Sequence, residues 1–177
     1  MPHDNLWAPW RMAYISQLDS DGSETHGPAT CFLCESAAVK TGDDEQRRRL
    51  VLLNDDRGQI LLNRYPYTNG HLLVAPGDHL ADLCDLTAAS RGDLIELVNL
   101  AEMLLRAVFN PQGINIGINL GRCAGAGLPG HLHVHVVPRW SGDTNFMHTV
   151  GQVRVIPDAL EASYQQLALG LAKINAS

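Results

Sequence analysis

Residues 130–138 read Gly-His-Leu-His-Val-His-Val-Val-Pro, with histidines at 131, 133 and 135 and apolar residues between them. Side chains on a strand alternate faces at about 3.3 Å per residue, so His131, His133 and His135 would share one face, about 6.6 Å apart. Leu132, Val134 and Val136 would fill the other face. A solvent-exposed face that used histidine by chance would not need so purely apolar a row behind it, and the three imidazoles are therefore read as a site. A neutral imidazole is a good nucleophile near pH 7, and one that donates from Nδ1 to a backbone carbonyl presents Nε2 for attack. A second pattern, Cys31-Phe-Leu-Cys34, has the two-cysteine spacing of a structural zinc knuckle and needs two more ligands from elsewhere. The alternative is a pair of reduced thiols in a loop.

Such side chains need a scaffold, and the surrounding pattern supplies one. Residues 50–54 and 59–63 are short apolar runs separated by Asp55-Asp-Arg-Gly58, which predicts a hairpin. A third strand is expected at 71–75, after the Pro/Asn/Gly turn at 66–70. From Thr87, the residues Leu94, Leu97, Val98, Ala101, Leu104, Leu105 and Val108 recur at helical spacing, predicting a long helix that closes before Pro111. Two alternating runs come next, at 114–120 and 131–137, and then a helical stretch at 159–174. The order predicts an α+β fold: an antiparallel sheet of about five strands with one long helix and a C-terminal helix. Residues 41–49 read as a hydrophilic loop ending in three arginines.

The composition narrows the function. At 177 residues, 45% hydrophobic and 18% charged, the chain suits one ordered domain over 31–177, preceded by an aromatic arm and loop over 1–30. Trp7, Trp10 and Tyr14 in that arm should pack onto the domain or a partner subunit. A net charge of -6 argues against holding long nucleic acid by general electrostatics. Four cysteines are too few for a disulfide scaffold, and Cys84 and Cys123 are not expected to carry chemistry. No apolar run is long enough to span a membrane and residues 1–21 lack a signal-peptide layout, so a cytoplasmic location is expected.

The spacing of His131, His133 and His135 resembles the signature of the histidine triad (HIT) family. The blocks from Leu6 to Ile15, Leu62-Asn-Arg-Tyr-Pro-Tyr67, Gly70-His-Leu-Leu-Val-Ala-Pro76, Ala124-Gly-Ala-Gly127 and from Pro138 to Phe146 resemble the bacterial branch that includes diadenosine tetraphosphate phosphorylases. The pattern is more distantly similar to galactose-1-phosphate uridylyltransferase, where glutamine takes the third position. The resemblance implies that His133 attacks an α-phosphorus while His135 donates to phosphate oxygens and assists the leaving group. It implies a ribose contact from Asn63 and a supporting His71 beneath the triad, though His71 could equally be a satisfied core histidine. Asn119 matches a phosphate-side residue with one extra position before the triad. Gly125, Ala126 and Gly127 would let backbone donors approach phosphate. Gly127-Leu128 stands where many relatives carry a Gln-Ser or Gln-Thr pair, so one hydroxyl contact is missing. Zinc-bearing relatives imply His79 and His131 as the ligands completing Cys31 and Cys34, which would make His131 structural.

The resemblance thus implies an enzyme that cleaves a dinucleoside polyphosphate through a nucleotidyl-histidine and passes the nucleotide to inorganic phosphate or water. Arg139 and Asn145 would help to hold the phosphate. The alternatives are a hydrolase of dinucleoside polyphosphates or adenylated amines, and a zinc-braced nucleotide-binding module with little turnover. The resemblance also implies a homodimer.

Overall fold

The structure is a computed structural model that describes residues 27–39, 44–143 and 158–176. Trp7, Trp10, Tyr14 and Asn145 lie outside the described residues. The helices are α1 (Phe32–Ala37), α2 (Asp44–Arg48), α3 (Ala88–Phe109) and α4 (Leu160–Asn175). The strands are β1 (Val51–Asp55), β2 (Gly58–Leu62), β3 (Leu72–Ala75), β4 (Gly113–Ile118) and β5 (Val134–Arg139). They form one five-stranded sheet in the order β1-β2-β3-β5-β4, with every pairing antiparallel.

Alternation along the strands divides the apolar side chains between two faces. Leu52, Ile60, Leu62, Leu72, Val74, Val134 and Val136 pack against Leu94, Leu97, Ala101, Leu104 and Leu105 of α3 and Tyr164 and Leu167 of α4. Each fully buried leucine contributes about 1.5–3 kcal/mol relative to exposure, so this stripe anchors both helices to the sheet. Thr87 caps α3 by accepting from the Ser90 amide at 3.1 Å, and Asn110 ends it in the left-handed conformation, just before Pro111. The opposite face carries a smaller apolar cluster of Cys31, Leu33, Val51, Leu61, Leu73, Ala75 and Leu128. Alternation sends Val51 to this cluster and Leu52 to the larger core, and a register shift between Val51 and Leu53 in β1 lets the consecutive Leu52 and Leu53 both pack on that core. The functional residues stand on this second face.

Two local expectations change. The segment ending in three arginines contains a short helix, α2, rather than only loop. Asp44 and Glu45 lie in its first turn and Arg47 and Arg48 in its last, which suits the helix dipole, and Glu45 also pairs with Arg49. The paired part of the triad strand begins at Val134 and runs on to Arg139, so His131 and His133 precede the ladder and only His135 lies within it.

Gly58, at the hairpin turn, has φ +137°, and a Cβ there would come within 2.3 Å of the Ala75 carbonyl oxygen; that approach is too tight to be modestly absorbed. Gly58→Ala is expected to cost about 3 kcal/mol or more, combining backbone strain with a clash against a central strand. Urea unfolding that shows a loss below about 1 kcal/mol would contradict this reading of the turn.

Candidate active site and metal centre

His133 is 7% exposed, and its Nδ1 lies 2.8 Å from the backbone carbonyl oxygen of His131. A carbonyl can only accept, so Nδ1 carries the proton and Nε2 keeps its lone pair. His135 follows on β5, its ring centroid 5.1 Å from that of His133 in an edge arrangement. Behind it, fully buried His71 places Nε2 3.0 Å from His135 Nδ1. Asn63 reaches His71 Nδ1 at 3.3 Å, and Asn119 reaches His135 Nε2 at 3.5 Å and the Gly125 carbonyl at 3.4 Å. Asn63, His71, Asn119, Gly125, His133 and His135 are thus linked in one patch. Leu73 faces His135 across the ladder and also lines a cleft of about 240 Å³ with Phe32, Leu61, Asn63, Arg64 and Tyr65. The cleft is mainly apolar, with Arg49 and Arg64 also in its wall, and meets the histidine patch through Leu73 and Asn63; such a cleft suits a flat heterocycle attached to a polar, anionic chain.

Other expected phosphate contacts are differently engaged. The Ala124, Gly125 and Ala126 amides donate to carbonyls of Gly121 and Arg122, because they close the short 3-10 turn Arg122–Ala124. Arg139 bonds Asp143 at 2.5 Å and Asn115 at 2.9 Å, four residues beyond His135 on an exposed part of the strand. The structure does not bring Arg139 to the histidines.

His131, the first ring of the triad, turns the other way. Its Nε2 lies 3.1 Å from the Pro76 carbonyl oxygen, to which it must donate, leaving Nδ1 as a lone pair 3.3 Å from Cys31 Sγ and 3.5 Å from Cys34 Sγ. His79 Nδ1 approaches Cys34 Sγ at 3.2 Å, and the four donor atoms lie within 4.8 Å of one another. Zinc bonds of about 2.3 Å to sulfur and about 2.0 Å to nitrogen set tetrahedral ligand separations of roughly 3.3–3.8 Å, so the donor set has the chemistry and spacing for zinc. Burial, with the neighbouring Cys31 thiol, pushes the Cys34 thiol up to about 11. A bound cation would displace its proton.

The HIT domain family model matches residues 44–142, which is more than half of the chain. The chain belongs to the HIT family. It is 37% identical over 170 residues to a Mycobacterium tuberculosis protein named AP-4-A phosphorylase, covering 95% of this chain and 84% of that one. A zinc-bound histidine triad family protein from Mycobacterium smegmatis superposes with a TM-score of 0.63 at 28% identity, covering 85% of this chain and 99% of that one. A Schizosaccharomyces pombe asymmetrical bis(5'-nucleosyl)-tetraphosphatase is 38% identical over 82 residues, 46% of this chain and 44% of that protein. Within this HIT protein, several groups that no motif marks hold the site together. The Tyr67 amide, the Pro76 carbonyl and the His131 carbonyl fix ring tautomers. Gln59, fully buried, donates to the Leu33 carbonyl at 2.8 Å and so ties the cysteine-bearing helix to β2. Backbone groups leave no mark in residue identity; Gln59 could have been noticed as the lone polar residue in an otherwise apolar strand.

Burial holds all three triad rings neutral. His131 and His133 are pushed below the usual 6.5, His133 with partial compensation from the His131 carbonyl, and burial with neighbouring His133 carries His135 down to about 4. An unfolded chain protonates these rings below about 6.5, before the folded one does, so it binds more protons in that window. Their contribution to stability is complete above about pH 6.5 and is lost as pH falls below it, that of His135 by about pH 4. The urea midpoint should drop over this range, and less steeply in His135→Gln; identical slopes for the two proteins would contradict a neutral buried His135.

Proposed function

We propose that this HIT protein is a nucleotidyl transferase that cleaves dinucleoside polyphosphates, diadenosine tetraphosphate foremost, at an α-phosphate. The observation that carries the proposal is the Nδ1 hydrogen bond of His133 to the His131 carbonyl, which leaves Nε2 as the lone pair of a ring set 5.1 Å from that of His135, itself joined through His71 to Asn63. The Nε2 lone pair attacks the α-phosphorus, the bond to the bridging oxygen breaks, and ATP leaves with a hydrogen bond from His135. The positive charge that develops on the His133 ring strengthens its bond to the carbonyl, which stabilises the adenylyl-imidazole. The oxygen of inorganic phosphate then attacks phosphorus, the P–N bond breaks, and ADP departs with neutral His133 restored. Asn63 and the cleft would take ribose and base, and Asn119 with His135 the α-phosphate oxygens.

The likeness to the AP-4-A phosphorylase over most of both chains favours phosphate as the acceptor. Hydrolysis is the second reading, favoured by the engagement of Arg139 with Asp143 and by the shorter match to the tetraphosphatase. Zinc held by Cys31, Cys34, His79 and His131 would brace α1 and the Pro76 turn against the base of β5. A homodimer could form along β4, an edge strand with Ile116 48% exposed. Chromatography of products across a phosphate titration tests the acceptor. ADP plus ATP should replace AMP plus ATP as phosphate rises. AMP plus ATP formed at the same rate at every phosphate concentration would make the enzyme a hydrolase.

A further inference from the structure

We infer that the backbone amide of Tyr67 sets the tautomers of two histidines in series, so that neutral His135 carries its single proton on Nε2, facing the reaction centre. The chain of hydrogen bonds permits one assignment. Tyr67 N–H lies 3.1 Å from His71 Nδ1 and can only donate. Asn63 Oδ1 accepts from the Tyr65 amide at 3.0 Å, which fixes the orientation of that side chain and turns Nδ2, a second donor, toward the same His71 nitrogen at 3.3 Å. Nδ1 of His71 is therefore a lone pair and its proton sits on Nε2. That proton points at His135 Nδ1, 3.0 Å away, which must accept. His135 is left with its proton on Nε2.

The neighbouring ring takes the opposite form. His133 donates from Nδ1 to the His131 carbonyl and keeps Nε2 bare. Two neutral imidazoles 5.1 Å apart thus present a lone pair and an N–H to the same space, one to attack phosphorus and one to bond a phosphate or leaving oxygen. Neither needs to be charged. That matters because burial keeps His135 deprotonated down to about pH 4, so its neutral form must already be a donor. The Asn119 amide nitrogen stands 3.5 Å from His135 Nε2, donor toward donor, a pairing that an anionic oxygen would complete. The Tyr67 ring lies over both histidines, 4.6 Å from His71 and stacked at 5.7 Å and 25° on His135, which holds the second ring in orientation. His71 is then a positioning residue that acts through His135. The consequence for turnover rests on the proposed function, whereas the tautomers do not.

Two-bond proton–nitrogen correlation spectra of the full zinc-loaded chain, labelled with 15N-histidine at about pH 7.5, read the tautomers directly. His71 and His135 should show the Nε2–H pattern and His133 the Nδ1–H pattern. In His71→Gln the amide can still donate to His135 Nδ1, so the Nε2–H pattern of His135 should persist. In His71→Ala it should give way to a mixture, with kcat down about tenfold, the worth of roughly one buried hydrogen bond, and KM little changed. A wild-type His135 in the Nδ1–H form would overturn the inference without any variant. So would a folded His71→Ala protein whose His135 pattern is unchanged. The expected tautomers in a protein that turns over no dinucleoside polyphosphate would support the inference while removing the proposed function.

Discussion

His133→Ala is expected to lower turnover of diadenosine tetraphosphate by about ten-thousandfold or more, with the fold intact. The size comes from the role: removing the group that forms the covalent bond removes the two-step route itself, and what remains is the positioning and electrostatic effect of the surrounding donors. His135→Ala should cost about a hundredfold, the scale of a single positioned donor or acid. The ordering is informative because both rings are buried in the same patch and lie 5.1 Å apart, so a merely structural disturbance would affect the two variants alike. The variant loses a buried ring and its bond to the His131 carbonyl, so circular dichroism alongside the kinetics checks that it is folded in the assay. Near-normal turnover by a folded His133→Ala protein would remove the covalent route.

Loss of the metal centre should have the second largest effect, on stability. Cys31→Ala deletes one of four ligands and leaves a thiol and two imidazoles, so water must take the fourth position and the ion is held far less tightly. The ligands come from three segments: the start of α1, the turn after β3 and the approach to β5. Zinc would cross-link them on the face where the apolar cluster is small. A binding free energy that appears only in the folded state adds directly to folding. The larger core on the other face should keep the domain folded, so the expected outcome is a melting temperature lower by about 10 °C or more, corresponding to several kcal/mol at this size. After dialysis against a chelator, elemental analysis should find about one zinc per wild-type chain and far less in the variant. A metal-free wild-type preparation that melts at the same temperature as the loaded one would remove zinc from the description.

How much of the molecule is legible in its sequence depends on the kind of signal involved. The hairpin, the long helix with its Thr87 cap and Asn110 end, and the five-stranded antiparallel plan are written in periodicity and turn residues, and the structure has them. The short helix α2 escaped because 41–49 has no apolar stripe; its order comes from charge placement and the Glu45–Arg49 pair. The triad's alternation suggested one continuous strand, yet His131 is drawn out of the ladder by the Pro76 carbonyl and the two cysteines, a tertiary demand that alternation cannot express. Cys31 and Cys34 announced themselves by spacing, whereas His79, 45 positions beyond Cys34, came through family resemblance. Arg139 looked like an anion binder by residue type, but Asp143 stands close enough in the folded chain to take it.

The covalent intermediate can be caught directly. Protein mixed with diadenosine tetraphosphate labelled at its α-phosphates and quenched in alkali within a single turnover preserves a phosphoramidate bond for peptide mapping. Adenylate on the peptide that contains His133, formed as ATP appears and chased into ADP by added phosphate, is the expected result. ATP released in that single turnover with no label on the His133 peptide would contradict the covalent mechanism.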